Sequence, residues 1–338
     1  MTHQIEIFGI ELTVKEVAFT IGGWSVYWYG IIIGIGCLLA LLYAMKNAPR
    51  YNLDRDRMLD VVIFTIPVAV LCARLYYCIF RNETGDRIDS VKEFFGIGTG
   101  AGFSGLAIYG AVIGAFVCGS ILCLIRKVKI LDMFDIASAG FLIGQGIGRW
   151  GNFINQEAYG TVTGSSWWGM TSEVTRRDPD IVMAGGGLVH PCFLYESIWC
   201  IAGFFVLNHF SKKRKFSGQI FLLYGIWYGF GRFFIESIRT DQLKLGNGDL
   251  PISMFVSAVA FITCVVLYVY MSKRAKTAAE ILPYEAMFSE QMEDASAETE
   301  TETEAEQTVS EEISEEEIKT ETAQIDAEEN TQEVEEEE

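Results

Sequence analysis

Seven stretches of about 20 largely apolar residues dominate the first 276 positions, at roughly 24–45, 58–80, 103–125, 130–151, 190–210, 217–238 and 251–272. A helix rises about 1.5 Å per residue, so each stretch can cover the roughly 30 Å hydrocarbon core of a bilayer. A helix that is apolar all round belongs either in the core of a large protein or in a membrane. Seven in one chain of this length point to the membrane. The expected fold is all-α and polytopic, with about seven transmembrane helices.

The overall charge points the other way until it is divided along the chain. The formal net charge is -18. Residues 277–338 alone hold 24 Asp and Glu against a single base, Lys319, and the first 276 residues hold 20 acids against 25 bases. The acidity therefore belongs to the last segment, which is rich in Glu, Thr, Ala and Ser. A segment so polar cannot bury enough apolar surface to offset its ordering entropy. Residues 1–276 are read as the membrane domain and 277–338 as a disordered acidic tail. No nucleic-acid partner is expected.

Basic residues set the orientation, because cytoplasmic loops carry the excess of Lys and Arg. Alternate loops hold Lys46, Arg50, Arg55 and Arg57, then Arg126, Lys127 and Lys129, then Lys212, Lys213, Arg214 and Lys215; Lys273, Arg274 and Lys276 follow the last stretch. These loops are expected to be cytoplasmic, which puts the N-terminus outside and the C-terminus inside. The first stretch is too long for a cleavable signal peptide, and no basic segment immediately precedes it. The eight cysteines all fall within apolar stretches as small hydrophobes, without ligand spacing, so no metal site is expected.

Ionisable groups inside membrane spans are costly and usually functional. On this orientation they gather toward the outer ends of the spans. Tyr29 and Arg74 lie near the outer ends of the first and second spans, Arg149 near that of the fourth, and His190 and Glu196 open the fifth. Arg232 and Glu236 lie in the outer half of the sixth, with Arg239 just beyond, and Tyr109 lies roughly 9 Å into the third. The inner ends carry Asp60, Asp132 and Asp135, where a helix N-terminus favours anions, and His209. An ion pathway would leave charges through the full depth. A set confined to one leaflet suggests chemistry on a lipid headgroup, and arginines suggest a phosphate, which their planar fork of donors fits. The plainer alternative is that Arg74, Arg149 and Arg232 pair with Glu157, Glu196 or Glu236 to hold helices together.

Residues 148–160, GRWGNFINQEAYG, place Arg149, Asn152, Asn155 and Glu157 beside Gly148, Gly151 and Gly160 at membrane depth. Irregular backbone there is tolerated only when buried in protein or lining a wet cavity, and the glycines allow close backbone approach.

This run resembles the diagnostic motif of the prolipoprotein diacylglyceryl transferase family. The segments VYWYG (26–30), ARLYY (73–77), GLAIYGAVIG (105–114), HPCFLYE (190–196), and RFFIE (232–236) followed by Arg239 resemble other family segments in order and position. Phe193 stands where the family has glutamine. The resemblance covers about residues 20–275 and leaves the acidic tail outside. It implies seven spans, a site open to the outer leaflet of the bacterial plasma membrane, and no metal, nucleotide or other cofactor. The implied reaction moves the diacylglyceryl group of phosphatidylglycerol onto the lipobox cysteine of a prolipoprotein signal peptide. The alternative weighed is a transporter of lipids or phosphate compounds, which would need a site near the midplane and often an internal repeat.

Carried onto this chain, the family's essential arginines fall on Arg149 and Arg232, expected to hold the phosphate. Asn152 can donate to the headgroup, Glu157 can orient Arg149 or the glycerol hydroxyls, Gly160 meets a backbone requirement, and Tyr29 can reach the headgroup. Arg74, Glu196, Glu236 and Arg239 complete the expected binding set. Many relatives carry histidine where this chain has Tyr109, whose reference pKa of about 10 makes it a poor base near neutral pH. Tyr109 is therefore read as a hydrogen-bond donor. His190 and the substrate phosphate are the alternative proton acceptors.

Overall fold

The structure, a computed structural model, describes residues 2–22, 24–81, 94–95, 105–242 and 251–275. Long helices occupy all seven expected stretches. In chain order the helices are α1 (Trp28–Asn47), α2 (Arg55–Arg81), α3 (Ile108–Ile125), α4 (Ile130–Ile154), two short helices α5 (Glu173–Arg177) and α6 (Pro179–Met183), then α7 (Cys192–Ser211), α8 (Gln219–Ser237) and α9 (Ile252–Ala275). The acidic tail lies outside the described residues.

Six of the long helices are long and apolar enough to cross a membrane, and α8 is not among them. All seven expected helices form, and α8 departs from the others in composition rather than in length. The 19 residues of α8 rise roughly 28 Å, but they include Gln219, Arg232 and Glu236. That helix packs against α4, α7 and α9, so its polar side chains meet protein. Elsewhere the surface is apolar: Leu38 and Leu42 of α1 and Ile262 and Val266 of α9 are each more than half exposed. The protein is a multi-pass membrane protein.

Packed neighbours run antiparallel, because their facing residues pair in reverse order. Tyr29, Gly36 and Ala40 of α1 meet Gly151, Gly144 and Gly140 of α4. Gly110 and Gly119 of α3 meet Cys72 and Thr65 of α2. Glu196 of α7 meets Arg232 of α8, and Trp199 meets Trp227 a turn further along. Those two indoles stack 4.4 Å apart. Each ring N–H donates to the other residue's carbonyl, at 3.0 and 2.9 Å. This order brings the start of α1, the end of α4, the start of α7 and the end of α8 to one end of the bundle.

The chain is not all-α. Strands β1 (Thr2–Ile7), β2 (Ile10–Lys15) and β5 (Met170–Ser172) form an antiparallel sheet in the order β2-β1-β5, while β3 (Val17–Ile21) and β4 (Trp24–Tyr27) form a separate hairpin. The signal is in the sequence: Ile5, Ile7, Ile10, Leu12 and Val14 alternate with polar residues around Phe8-Gly9. Both turn residues take positive φ, 52° and 78°, as a tight hairpin turn requires. Ile5 packs in a cluster with Phe153, Met170, Ile181, Val189 and Phe193, which fastens the sheet to the segment that follows α4.

At the other end, Asp132 lies in the first turn of α4 as expected, and both it and Asp135 have a further partner. Both bind Arg214, at 2.7 and 2.8 Å, and all three side chains are almost fully buried. Asp135 also accepts from the backbone N–H groups of Gly218 and Phe221, at 2.9 and 2.8 Å. It therefore caps α8, whose first N–H groups have no partner within the helix. Asp60 pairs with Arg126 at 3.1 Å.

Candidate active site

Glu196 is the centre of the charged end. It is 4% exposed and lies one turn into α7, facing both α4 and α8. Arg149 Nε lies 2.6 Å from Glu196 Oε2, while Arg232 pairs closely with Oε1. Arg232 reaches Glu236 at 2.6 Å, and Arg239 approaches Glu196 at 3.5 Å and Glu236 at 3.9 Å. Glu196 Oε2 and Glu236 Oε2 are buried without an aligned hydrogen-bond donor, so the approaches of Arg149 to Glu196 and of Arg232 to Glu236 are charge contacts, whereas Arg232 donates a hydrogen bond to Glu196 Oε1. Three guanidiniums thus converge on two buried carboxylates, Arg239 having a third partner in Asp241, and a cluster of guanidinium donors suits an anion. Arg149 keeps 22% of its side chain exposed, which leaves donors free to meet one.

Asn152 links this centre to the loop after α4. Its Oδ1 accepts from Arg149 at 3.2 Å and its Nδ2 donates to Glu157 Oε1 at 2.9 Å. Glu157 thus orients Arg149 through Asn152 rather than by direct contact. Asn155 donates more weakly to the same Glu157 oxygen, at 3.4 Å. The loop turns sharply, with Gln156 and Ala158 at positive φ of 55° and 58°. Tyr29 lies with its ring against Gly151, where an added Cβ would stand 2.5 Å from the ring.

Gly160 is held by main chain on both sides. It forms an antiparallel bridge with Arg239 and donates its N–H to His190 O at 2.9 Å. A Cβ at Gly160 would lie 2.8 Å from both His190 Cβ and Ile238 O. The glycine thus lets three segments converge and sets Arg239 beside Glu196. Arg239 also grips Asp241 through two donors, at 2.8 and 2.6 Å. Burial pushes the Asp241 carboxyl up, and the Arg239 fork overrides it, holding it below the usual carboxylate range.

His190 sits at the edge of this cluster. Its Nδ1 lies 3.2 Å from the Tyr195 hydroxyl, which accepts the Trp168 indole N–H at 2.8 Å. The hydroxyl both donates and accepts, so either tautomer of His190 keeps this hydrogen bond. Burial lowers the His190 pKa, so the ring is neutral near pH 7.

Two expected site residues lie apart from the cluster. Arg74 donates to the carbonyls of Phe94 at 2.9 Å and Gly105 at 3.1 Å and sits 5.6 Å from the Tyr77 ring centroid. These contacts tie α2 to the segment before α3. Tyr109 is 41% exposed, and its ring centroid lies 6.4 Å from that of Tyr76. Phe193, at the family's glutamine position, is buried among Phe153 and Trp150. A cavity of about 310 Å³ lined by Thr171, Arg176, Ile181 and Leu188 shares no lining residue with the arginine cluster. No group of His, Cys, Asp and Glu arranged to hold a metal occurs among the described residues.

The fold and the charged end define a class: a helical membrane protein with an arginine cluster suited to a phosphate at one end of its bundle. The family model for prolipoprotein diacylglyceryl transferase matches residues 16–270. A phosphatidylglycerol–prolipoprotein diacylglyceryl transferase of Clostridioides difficile (strain 630) is 39% identical over 264 residues, 78% of this chain and 98% of that protein. The protein of that name from Bacillus velezensis is 39% identical over 261 residues, 76% of this chain and 92% of the relative. That from Bacillus licheniformis is 38% identical over 282 residues, 81% and 97% of the two chains. The chain belongs to the prolipoprotein diacylglyceryl transferase family. That membership favours an enzyme over the transporter reading.

Proposed function

We propose that this chain transfers the diacylglyceryl group of phosphatidylglycerol to the lipobox cysteine thiol of a prolipoprotein, the reaction for which its relatives are named. The observation that carries the reading is the match of residues 16–270 to the transferase family, within which Arg149 and Arg232 converge from separate helices on Glu196. In the reaction sulfur attacks the glyceryl carbon, the carbon–oxygen bond to phosphate breaks, and glycerol 1-phosphate leaves. Charge grows on the departing phosphate, and preformed donors aimed at that charge lower the barrier. Arg149 and Arg232 supply them, and Arg239 holds the balance of charge around Glu196.

The thiol must lose its proton, because thiolate is the nucleophile. The departing phosphate, on which negative charge grows, is the proposed acceptor, and His190 at the edge of the cluster is the alternative. The proposed orientation puts the charged end at the outer leaflet of the plasma membrane, with the N-terminus outside and the C-terminus in the cytoplasm; the basic residues of the loops at the opposite end support it. Glu236 positions Arg232, and Tyr29, Asn152, Glu157 and Gly160 shape the headgroup pocket; Arg74 ties α2 to the segment before α3, and neither it nor Tyr109 contacts the cluster directly.

The test uses the purified full chain with labelled phosphatidylglycerol and a lipobox peptide. Label should move to the peptide. Arg149→Lys and Arg232→Lys should each lose roughly a hundredfold or more, because a point charge does not reproduce a planar fork of donors. Wild-type rates in either variant would overturn the assignment.

A further inference from the structure

Beneath the arginines, two facing helices carry polar side chains deeper into the bundle. Gln145 lies four residues before Arg149 on α4, on the same face. Tyr228 and Tyr224 lie four and eight residues before Arg232 on α8. The two lines meet where Gln145 Nε2 bonds the Tyr224 hydroxyl at 2.9 Å. The Tyr224 and Tyr228 rings stack in parallel, 5.6 Å apart. Polar groups at such depth are costly in a membrane protein, and this strip contributes nothing to the ion pairs above it.

One group in it is unpaired. Gln145 Oε1 is buried and has no hydrogen-bond partner among the described residues. Turning the amide over would let Tyr224 donate to the oxygen but would strand the NH₂ instead. Either way, half of one amide lacks a partner about one turn below Arg149. A hydroxyl can both donate and accept, so it satisfies either orientation. An ammonium only donates, and the arginine cluster repels it.

We propose that Gln145, held by Tyr224, is a specificity-determining residue that binds a hydroxyl of the lipid's head alcohol while Arg149 and Arg232 hold the adjoining phosphate. This rests on the headgroup reading of the arginine cluster and adds to it. The ligand class is a phosphodiester lipid whose head alcohol carries further hydroxyls.

The experiment compares two donor lipids, phosphatidylglycerol and phosphatidylpropanol, which differ only in the head hydroxyls. Transfer to a lipobox peptide is measured as kcat/KM for wild type and Gln145→Leu. The wild type should prefer phosphatidylglycerol. The variant should lose about tenfold on phosphatidylglycerol, as expected for one hydrogen bond left unmade, and little on phosphatidylpropanol, so the preference falls by that factor. Tyr224→Phe should weaken the same preference by freeing the amide. Equal losses on both lipids would mark Gln145 as structural, and an unchanged preference would show that it does not touch the head alcohol. Either result overturns the proposal while leaving the transferase reading intact. Failure of the wild type to transfer from either lipid would overturn the transferase reading itself.

Discussion

The ring of Tyr29 lies on the α-carbon of Gly151, one residue before Asn152 and two after Arg149. A Cβ built on Gly151 would meet the ring at 2.5 Å. The start of α1 therefore touches the same helical turn that presents Arg149 and Asn152, the proposed phosphate-binding side chains.

This contact makes Gly151→Ala a test of placement. The methyl would push Tyr29 off α4 and shift the Arg149–Asn152 pair. Misplacement of this kind costs on the order of tenfold to a hundredfold in rate. Transfer should fall by that range while the thermal midpoint in detergent changes little. Unchanged transfer would show that Tyr29 and this turn move independently of the reaction.

Glu196→Gln removes the charge that Arg149 and Arg232 share. Breaking a buried ion pair from one side costs about 3–5 kcal/mol, so the variant should melt well below the wild type. Because the cluster would then hold more uncompensated positive charge, phosphatidylglycerol in the micelle should recover part of the loss. A melting point equal to the wild type's would show that Glu196 does not hold the cluster together.

His190 gives a prediction in pH. Its pKa is lowered in the folded protein from an ordinary value of about 6.5. Below that value the unfolded chain binds the proton more readily than the folded one. The stability linked to the neutral ring is present above about pH 6.5 and is lost as pH falls through the lowered pKa. His190→Gln keeps an acceptor for Tyr195 but cannot protonate. Melting curves at pH 7.5 and 5.0 should show a smaller acid-side loss in the variant, with most transfer at pH 7.5 retained. A variant inactive at pH 7.5 but folded would restore His190 as the base.

Arg214→Met separates stability from chemistry. It leaves Asp132 and Asp135 buried without their cation, a loss of about 3–5 kcal/mol. Folded protein should keep its KM for phosphatidylglycerol, because this triad lies at the end of the bundle away from Arg149. A raised KM would show that the two ends are coupled.

Removal of residues 277–338 should leave transfer rates and KM unchanged, measured on truncated protein inserted in membranes. A loss of turnover would tie the acidic segment to the reaction.

Much of this architecture is legible in the sequence, and the exceptions have physical reasons. Helix positions follow from apolar runs that a bilayer demands, which is why α4 was expected over 130–151 and observed over Ile130–Ile154. The β1–β2 hairpin had a period-two signal, overshadowed by the longer runs. The pairing of Arg149 and Arg232 through Glu196 needs three helices to be placed side by side, and spacing along the chain says nothing about that. Arg74 illustrates the converse. It shares depth and residue type with Arg149, yet its donors meet the carbonyls of Phe94 and Gly105. Asp135 likewise caps a helix that begins more than 80 residues later, as its bond to Gly218 records.

The Trp199–Trp227 clasp has a consequence for turnover. Because each indole donates to the other's carbonyl, α7 and α8 cannot slide past one another without breaking both bonds together. The separation of Glu196 from Arg232 is therefore maintained by a mechanical joint one turn away and does not depend on their own attraction. On the proposed reading, exchange of Arg232 between Glu196 and an incoming phosphate would leave the framework standing still, and the ion pair would serve as a latch on a fixed hinge plate.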